Sequence, residues 1–276
     1  MMPHILDDLK NPDRREHTGP FDIIGDVHGC ADELVALMSE LGYGVRFAGR
    51  GEDRHAVTAT PPGRHAIFVG DLVDRGPNSP DVLRIVMAMV NARQAIAVEG
   101  NHDVKFLRWL SGRQSALSHG LDRTVAQFKT EAPRFHGAVK NFLSSLPHHV
   151  WLDGGRLAVA HAGIRHDMLG RQSGDVRHFC LYGDTSGKPA KDGLPVRYHW
   201  AAGYEGETAI VYGHTPVPDS DWVNNTLCID TGCCFGGKLT ALRWPERTLV
   251  SVDAADTYMP SLRPFGHPPV RPVVSQ

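Results

Sequence analysis

The chain has 276 residues, of which 41% are hydrophobic and 22% charged, and its formal net charge at pH 7 is -2. This length and apolar content suffice for one large domain and exclude a disordered chain. The near-neutral charge excludes tight non-specific nucleic-acid binding driven by bulk electrostatics. No apolar run is long enough to span a bilayer, and residues 1–20 lack the apolar stretch of a signal peptide. Five cysteines without zinc-ribbon spacing favour reduced thiols, so we expect a cytoplasmic protein with no membrane partner.

The first half of the chain alternates between buried strands and amphipathic helices. A polar, flexible leader is expected over residues 1–19, ahead of a domain over residues 20–265. Apolar runs and helical spacing predict, in order, strand 21–24, helix 32–41, strand 65–69, helix 81–90, strand 95–98 and a helix from about 103 to 110. This alternation predicts an α/β core.

The second half begins with a helical segment and ends in strands. Residues 119–147 are helical in pattern and split by Pro133, and the sevenfold spacing of Phe128, Phe135 and Phe142 favours a core stripe over an aromatic platform for a nucleobase. Residues 165–207 are rich in Gly and Pro and are expected to form a long loop or lid. Further strands are predicted at 157–160, 208–212, 226–229, 238–243 and 248–252, followed by an extended tail over 266–276.

Five glycine-containing motifs follow predicted strands. They are Gly25-Asp26-Val27-His28-Gly29, Gly70-Asp71-Leu72-Val73-Asp74-Arg75-Gly76, Gly100-Asn101-His102-Asp103, His161-Ala162-Gly163 and Gly213-His214-Thr215. Carboxylate, imidazole and amide ligands of this kind suit two neighbouring divalent ions that share one carboxylate. Asp26 and His28 reach one ion only if the backbone turns between them. Asp71 is the natural bridge, and Asn101, His161 and His214 each follow a strand and complete the second ion.

Three further residues of these motifs have the chemistry of phosphate-ester hydrolysis. Asp74 and His102 form the pair that a leaving-group acid requires, because a carboxylate orients an imidazole and favours its protonated form. Arg75 offers a planar fork for two phosphate oxygens. We expect a metal-activated hydroxide to attack phosphorus in line while His102 protonates the leaving group.

These motifs resemble those of the calcineurin-like metallophosphoesterases, in the branch that holds phosphoprotein phosphatases and diadenosine tetraphosphatases. The resemblance covers about residues 21–265 and implies a β-sandwich of two mixed sheets flanked by helices, with a helical or loop lid near residues 105–147 and 165–207. It implies that Asp26, His28 and Asp71 hold one ion and that Asp71, Asn101, His161 and His214 hold the other. The cofactor expected is a pair of divalent ions, manganese first, with nickel, cobalt, iron or zinc as alternatives.

A narrower resemblance links residues 181–184, 193–197 and 229–243 to two groups of enzymes. These are the PrpE-type asymmetrical bis(5′-nucleosyl)-tetraphosphatases and the phosphatase module of bacterial polynucleotide kinase-phosphatase. The resemblance implies a further phosphate-binding arginine, for which Arg165 and Arg197 are the candidates. It also implies that Asp230 lies beside the metal ligands without binding an ion.

Three functions remain open at this point. The first is asymmetrical hydrolysis of diadenosine tetraphosphate to ATP and AMP. The second is a phosphatase for phosphoproteins, or a phosphatase-phosphodiesterase for 2′ or 3′ nucleic-acid ends. The third is a metal-binding regulatory domain, which the complete catalytic set disfavours. Aromatic residues that stack on a base would favour a nucleotide substrate, and those available in the lid are Trp109, Tyr182, Tyr198, Trp200 and Tyr204. A track of basic residues would favour nucleic acid, and those available are Lys105, Arg108, Arg113, Arg123 and Lys129.

Overall fold

The computed structural model describes residues 10–191 and 193–272. Its strands are β1 (Phe21–Ile24), β2 (Gly44–Ala48), β3 (His55–Ala59), β4 (His65–Phe68), β5 (Ala95–Ala97), β6 (His149–Leu152), β7 (Leu157–Ala160), β8 (Asp184–Pro189), β9 (Pro195–Tyr198), β10 (Ala209–Tyr212), β11 (Trp222–Val223), β12 (Thr226–Cys228), β13 (Lys238–Trp244) and β14 (Thr248–Asp253). Its α-helices are α1 (Ala31–Glu40), α2 (Ser79–Asn91), α3 (Asn101–Leu110), α4 (Leu121–Phe128), α5 (Pro133–Ser145) and α6 (Gly174–Tyr182). Within these residues, no helix combines the length and the apolar character needed to cross a bilayer.

Two mixed five-stranded sheets form the centre of the fold. The first has the order β14-β13-β1-β4-β5 and the second the order β11-β12-β10-β7-β6. In the first, β1, β4 and β5 run parallel, and in the second β7, β10 and β12 do so. Strand β13 is antiparallel to both of its neighbours, β1 and β14, and the edge strand β6 is antiparallel to β7. The prediction of an α/β sandwich of two mixed sheets flanked by helices is therefore confirmed.

Successive side chains of each strand point to opposite faces of its sheet, and this divides the apolar residues among three layers. Ile23 and Ile67 point between the sheets and pack there with residues such as Val159. Their chain neighbours Ile24 and Phe68 point to the other face and pack against α1 and α2. A third cluster covers the outer face of the second sheet with α6. Because both faces of each sheet are covered, its central strands are apolar throughout, which is why they were recognised as short apolar runs.

Most predicted elements are present, with small shifts at their ends. Helix α3 begins at Asn101 rather than near residue 103, so its first turn includes three motif residues, Asn101, His102 and Asp103. Pro133 separates two helices as predicted, because it stands at the start of α5, where a missing N–H costs nothing. The aromatic stripe is part of the core, since Phe128 is fully buried and stacks on Phe135 at a centroid distance of 5.6 Å. The hairpin β2–β3 and strands β6 and β11 were not predicted.

The prediction of a long loop over residues 165–207 was wrong. This segment contains α6 and the hairpin β8–β9. The Ser173 side chain accepts a hydrogen bond from the Val176 N–H at 3.2 Å and begins the helix, and Gly183, with φ of 70°, ends it. The Gly and Pro residues thus delimit short elements rather than marking one continuous loop.

The predicted leader and tail fall partly outside the described residues, which exclude 1–9 and 273–276. Where described, the leader runs beside β6: the Arg14 N–H donates to the Trp151 carbonyl at 2.8 Å, and the Trp151 N–H donates to the Pro12 carbonyl at 2.8 Å. In the tail, the Pro269 carbonyl accepts from the His199 N–H at 2.9 Å. The domain and lid boundaries stay predictions.

Candidate metal centre and active site

The parallel strands of both sheets end at one edge of the sandwich, and the predicted ligands lie in the turns that follow them. In chain order these are Asp26 and His28 after β1, Asp71 after β4, Asn101 after β5, His161 after β7 and His214 after β10. Asp230, which is not a predicted ligand, follows β12 at the same edge. Residues 188 positions apart meet here: the backbone N–H of His214 donates to Asp26 Oδ2 at 3.1 Å. The structure therefore brings together all six predicted metal ligands.

Three of the predicted ligands stand in a backbone conformation that is rare for residues other than glycine. The φ angles of His28, Asp71 and His214 are 47°, 48° and 74°. Such left-handed conformations cost free energy and persist where the surrounding structure holds them, commonly at functional sites. The backbone thus turns at His28 itself, two residues after Asp26. Gly213 is required for a different reason, because a Cβ at this position would overlap Asp26 Oδ1.

Asp71 lies between two imidazoles. Its Oδ2 is 3.4 Å from His28 Nε2, and its Oδ1 is 3.4 Å from His161 Nε2. Nδ1 of His28 lies 2.9 Å from the Val73 carbonyl oxygen, and Nδ1 of His161 lies 3.1 Å from the Val69 carbonyl oxygen. Because a carbonyl can only accept, Nδ1 of each histidine must donate, and Nε2 of the neutral ring presents a lone pair toward Asp71.

A second group of electron-pair donors surrounds His161 Nε2. Asn101 Oδ1 lies 2.9 Å from it and His214 Nδ1 lies 3.0 Å from it. His214 Nε2 and Asp26 Oδ1 are buried and have no hydrogen-bond partner in the part of the chain that the structure describes. Buried acceptors that face one another repel, and a cation among them removes the repulsion. The donor set of oxygen and imidazole nitrogen therefore fits divalent metal ions.

The electrostatics of the site agree with this fit. Burial, together with nearby Asp230 and Asp71, raises the pKa of Asp26 well above its usual range. Burial lowers the pKa of His28 and of His214, so both rings are neutral, which is the form that binds a metal ion. Crowded carboxylates and neutral imidazoles together favour the entry of positive charge.

His102 is the centre of a chain of hydrogen bonds. Its Nδ1 lies 2.7 Å from Asp74 Oδ2, and the hydroxyl of Thr124 donates to Asp74 Oδ1 at 2.7 Å. The Arg75 guanidinium donates to His102 Nε2 at 2.8 Å and to His28 Nε2 at 2.7 Å. Burial and Arg75 lower the pKa of His102 well below its usual range. His102 is therefore neutral with its proton on Nδ1, and Nε2 gains a proton only once Arg75 turns toward another acceptor.

The two candidate arginines differ in their surroundings. Arg197 donates to Thr215 Oγ1 at 3.2 Å, beside the His214 motif, and burial with neighbouring Arg263 lowers its pKa to about 10. Arg165 forms an ion pair with Asp167 at 3.0 Å, and 53% of its side chain is exposed. Of the two candidates, Arg197 lies beside a predicted ligand and forms no ion pair with a carboxylate among the described residues.

Asp230 lies at the end of β12, close to the ligand carboxylates. Its Oδ1 accepts a hydrogen bond from the Gly232 N–H at 3.0 Å, and burial raises its pKa to about 6. After burial, it is the largest cause of the raised pKa of Asp26.

Asp103 and Thr124 belong to the site but were not predicted. Asp103 accepts from the Leu72 N–H at 2.9 Å and from the Gly100 N–H at 3.0 Å, and so connects the turns that contain Asp71 and Asn101. An acidic residue in the first turn of a helix was a usable sequence signal for it. Thr124 reaches Asp74 from 50 residues away and had no local signal.

The aromatic and basic candidates of the lid are mostly engaged elsewhere. The Trp200 indole donates to the Ala162 carbonyl at 3.1 Å, the buried Tyr204 hydroxyl donates to the Thr208 carbonyl at 2.8 Å, and Arg271 covers the ring of Tyr198. The five basic residues do not form one track: Lys105 is bonded to Ser118, whereas Arg108 and Arg113 line a groove together.

Comparisons with known proteins agree with this geometry. Residues 19–247 match the family model for Calcineurin-like phosphoesterase. The chain is 44% identical over 250 residues to the bis(5′-nucleosyl)-tetraphosphatase PrpE [asymmetrical] of Anoxybacillus flavithermus, covering 89% of this chain and 99% of that protein. It is 46% identical over 243 residues to the protein of the same name from Geobacillus thermodenitrificans, covering 87% and 96%.

Two solved structures resemble the fold. A crystal structure of a candidate diadenosine tetraphosphatase superposes with a TM-score of 0.63 at 26% identity, over 88% of this chain and 96% of that one. A protein serine/threonine phosphatase from Saccharomyces cerevisiae gives a TM-score of 0.59 at 13% identity, over 94% and 88%. The second likeness concerns the fold alone.

Proposed function

The chain belongs to the calcineurin-like phosphoesterase family, and we propose that it hydrolyses diadenosine tetraphosphate asymmetrically to ATP and AMP. The observation that carries the reaction class is the convergence of carboxylate, amide and imidazole donors on Asp71 at the edge of the sandwich. The choice of substrate is supported by two relatives that are named for this activity and are 44% and 46% identical to the chain over most of both lengths.

Two divalent ions fit these residues, and the proposed division follows the two groups of donors. Asp26, His28 and Asp71 hold one ion, and Asp71, Asn101, His161 and His214 hold the other. This arrangement is supported by the position of Asp71 between His28 and His161 and by the unpartnered Asp26 Oδ1 and His214 Nε2. Manganese is the proposed ion, since oxygen and imidazole donors suit it, with nickel, cobalt, iron or zinc as alternatives.

When bound, the ions supply Lewis acidity and an activated water. Arg75 binds two oxygens of the scissile phosphate with its planar guanidinium. Its departure from His102 frees Nε2 to take up a proton from solvent, which the imidazole then gives to the leaving oxygen. Asp74 orients His102 through Nδ1, and Thr124 fixes Asp74. The negative charges of the bound polyphosphate and of Asp74 together raise the proton affinity of His102 at the moment when an acid is required.

Arg197 is the proposed further phosphate ligand, because it lies beside the His214 motif without a carboxylate partner. Arg165 takes that role only if substrate displaces Asp167 from it. Asp230 is proposed to tune the ligand carboxylates by its charge rather than to bind an ion. A cytoplasmic location stays a prediction, supported by five free, buried cysteines.

Product analysis tests the proposal. Chelator-treated protein is supplied with Mn²⁺ and given diadenosine tetraphosphate, phosphopeptides, a 3′-phosphorylated oligonucleotide and p-nitrophenyl phosphate. We expect ATP and AMP in equal amounts at the highest kcat/KM, and no turnover while the chelator is present. Two molecules of ADP, preference for phosphopeptide or oligonucleotide, or turnover in excess chelator would each contradict it.

A further inference from the structure

A groove runs between α3 and α6, with α5 as its floor. Its volume is about 540 Å³, and its lining includes Val104, Arg108, Arg113, Lys140, His178 and Tyr182. We call it the α3–α6 groove. Neither the metal ligands nor the His102 hydrogen-bond chain form its walls, so the proposed chemistry leaves it without a role.

Both helices lead from the metal centre into the groove. Helix α3 begins with Asn101, and Val104 and Arg108 follow at spacings that place them on the same side of the helix. With a rise of about 1.5 Å per residue, Arg108 lies about 10 Å along the helix from Asn101. Helix α6 ends at Tyr182, whose ring centroid is 6.4 Å from that of His214. The groove therefore continues the site in one direction, over a length comparable to several linked phosphates.

The groove is positively charged along its length. Arg108, Arg113 and Lys140 are exposed, and none of them has an ion pair or side-chain hydrogen bond within the described residues. Arg177, by contrast, is neutralised by Glu99 at 2.7 Å and 2.9 Å. No carboxylate belongs to the described residues that line the groove. Three unpaired cations facing one cavity favour a polyanion.

The other cavity beside the ligands is too small for a nucleotide. It lies among Tyr182, Trp200 and His214, and its volume is about 20 Å³. That is roughly the room needed by one water molecule. Trp200 closes it, since its indole is held by the Ala162 carbonyl and packs against Tyr212 at 4.9 Å. This cavity therefore does not accommodate a nucleotide or a chain of phosphates.

We propose that the α3–α6 groove binds the nucleoside triphosphate half of a dinucleoside polyphosphate. The phosphates beyond the scissile one follow α3 toward Arg108 and Lys140, and the distal nucleoside lies at the end of the groove near Arg113. This inference rests on the proposed function and extends it, because it explains how a long polyphosphate is distinguished from a simple phosphate ester. A substrate without those phosphates does not reach these cations.

Charge reversal tests the groove. Arg108→Glu and Lys140→Glu alter exposed side chains without described partners, so the variants are expected to fold. Each is expected to lower kcat/KM for diadenosine tetraphosphate about 10-fold or more, mainly through KM, because each removes a charge-assisted contact. With p-nitrophenyl phosphate, kcat/KM should match that of Lys129→Glu, an equal charge change at an exposed residue outside the groove.

Product inhibition provides a second measurement that does not require turnover of the dinucleotide. ATP should inhibit p-nitrophenyl phosphate hydrolysis by the wild type, and Arg108→Glu should raise its inhibition constant about 10-fold or more while leaving that of AMP unchanged. If the wild type fails to cleave diadenosine tetraphosphate but ATP inhibition follows this pattern, the proposed function fails and the triphosphate site stands.

Three outcomes overturn the proposal. One is equal kinetics on the dinucleotide for the groove variants and Lys129→Glu. Another is a loss of kcat/KM on p-nitrophenyl phosphate equal to that on the dinucleotide, which indicates general damage to the centre. The third is a selective loss on a 3′-phosphorylated oligonucleotide with the dinucleotide unaffected, which assigns the groove to a nucleic-acid end.

Discussion

Replacing Asp103 with asparagine isolates the contribution of one buried carboxylate that connects two ligand turns. Its two oxygens accept from the Leu72 N–H at 2.9 Å and the Gly100 N–H at 3.0 Å. The amide of asparagine offers one acceptor whichever way it turns, and its NH₂ group then faces an N–H. One charge-assisted hydrogen bond is lost, so the free energy of unfolding should fall by about 1.5–3 kcal/mol.

A second effect of Asp103→Asn should appear in metal binding. Asp71 and Asn101 stand next to the two anchored N–H groups, and a shift of either turn separates donors that now lie about 3 Å apart around His161. Loss of a residue that orients metal ligands costs about 10- to 100-fold in metal affinity. Calorimetric titration of chelator-treated protein with Mn²⁺ measures this change, and thermal unfolding followed by circular dichroism measures the stability.

The matched control is Asp81→Asn. Asp81 is also a buried carboxylate, but it accepts from Arg54 at 3.0 Å and from Arg84 at 3.1 Å rather than from a ligand turn. It should lose stability to a similar extent and retain the manganese affinity of the wild type. Wild-type manganese affinity in Asp103→Asn, or an equal loss in both variants, would refute the role given to Asp103.

Three further predictions concern other parts of the chain. Asp71→Asn should lower kcat for every phosphoester by at least about 10²-fold with little change in the far-UV spectrum, and near-wild-type kcat would exclude the bridging role. Gly213→Ala should lower the free energy of unfolding by about 1–3 kcal/mol because its Cβ overlaps Asp26 Oδ1, whereas an unchanged urea midpoint would contradict the close approach. Burial lowers the pKa of His149 to about 4 from its ordinary 6.5. Between these pH values the folded state binds fewer protons than the unfolded state, so the free energy of unfolding should fall by about 3 kcal/mol as the pH decreases from about 6.5 to 4. His149→Gln keeps an acceptor for the Gly170 N–H and should reduce the dependence of the free energy of unfolding on pH in this range, as measured by urea unfolding. The same pH dependence in the variant and the wild type would contradict the role of His149.

Local patterns in the sequence determined the strands and the residue types of the centre. Runs such as residues 21–24 and 157–160 are apolar because both faces of their sheets are covered, and that burial leaves a strong local signal. Glycine beside Asp26, Asp71 and His214 marked turns in which a side chain approaches its neighbours closely. These signals need only a few consecutive residues, which is why the motifs were found in order along the chain.

Tertiary structure decided which partners meet and what surrounds them. Thr124 fixes Asp74 from 50 residues away, and the Arg75 guanidinium bridges His28 and His102; no local spacing encodes either contact. Helix α6 was missed because its flanking Gly and Pro residues resemble a loop, although packing of its apolar face against the second sheet stabilises it. The charged groove between α3 and α6 likewise depends on how two distant helices pack. Hydrophobic periodicity and turn chemistry are local properties, whereas the charge and shape of a cavity arise only when remote elements are brought together.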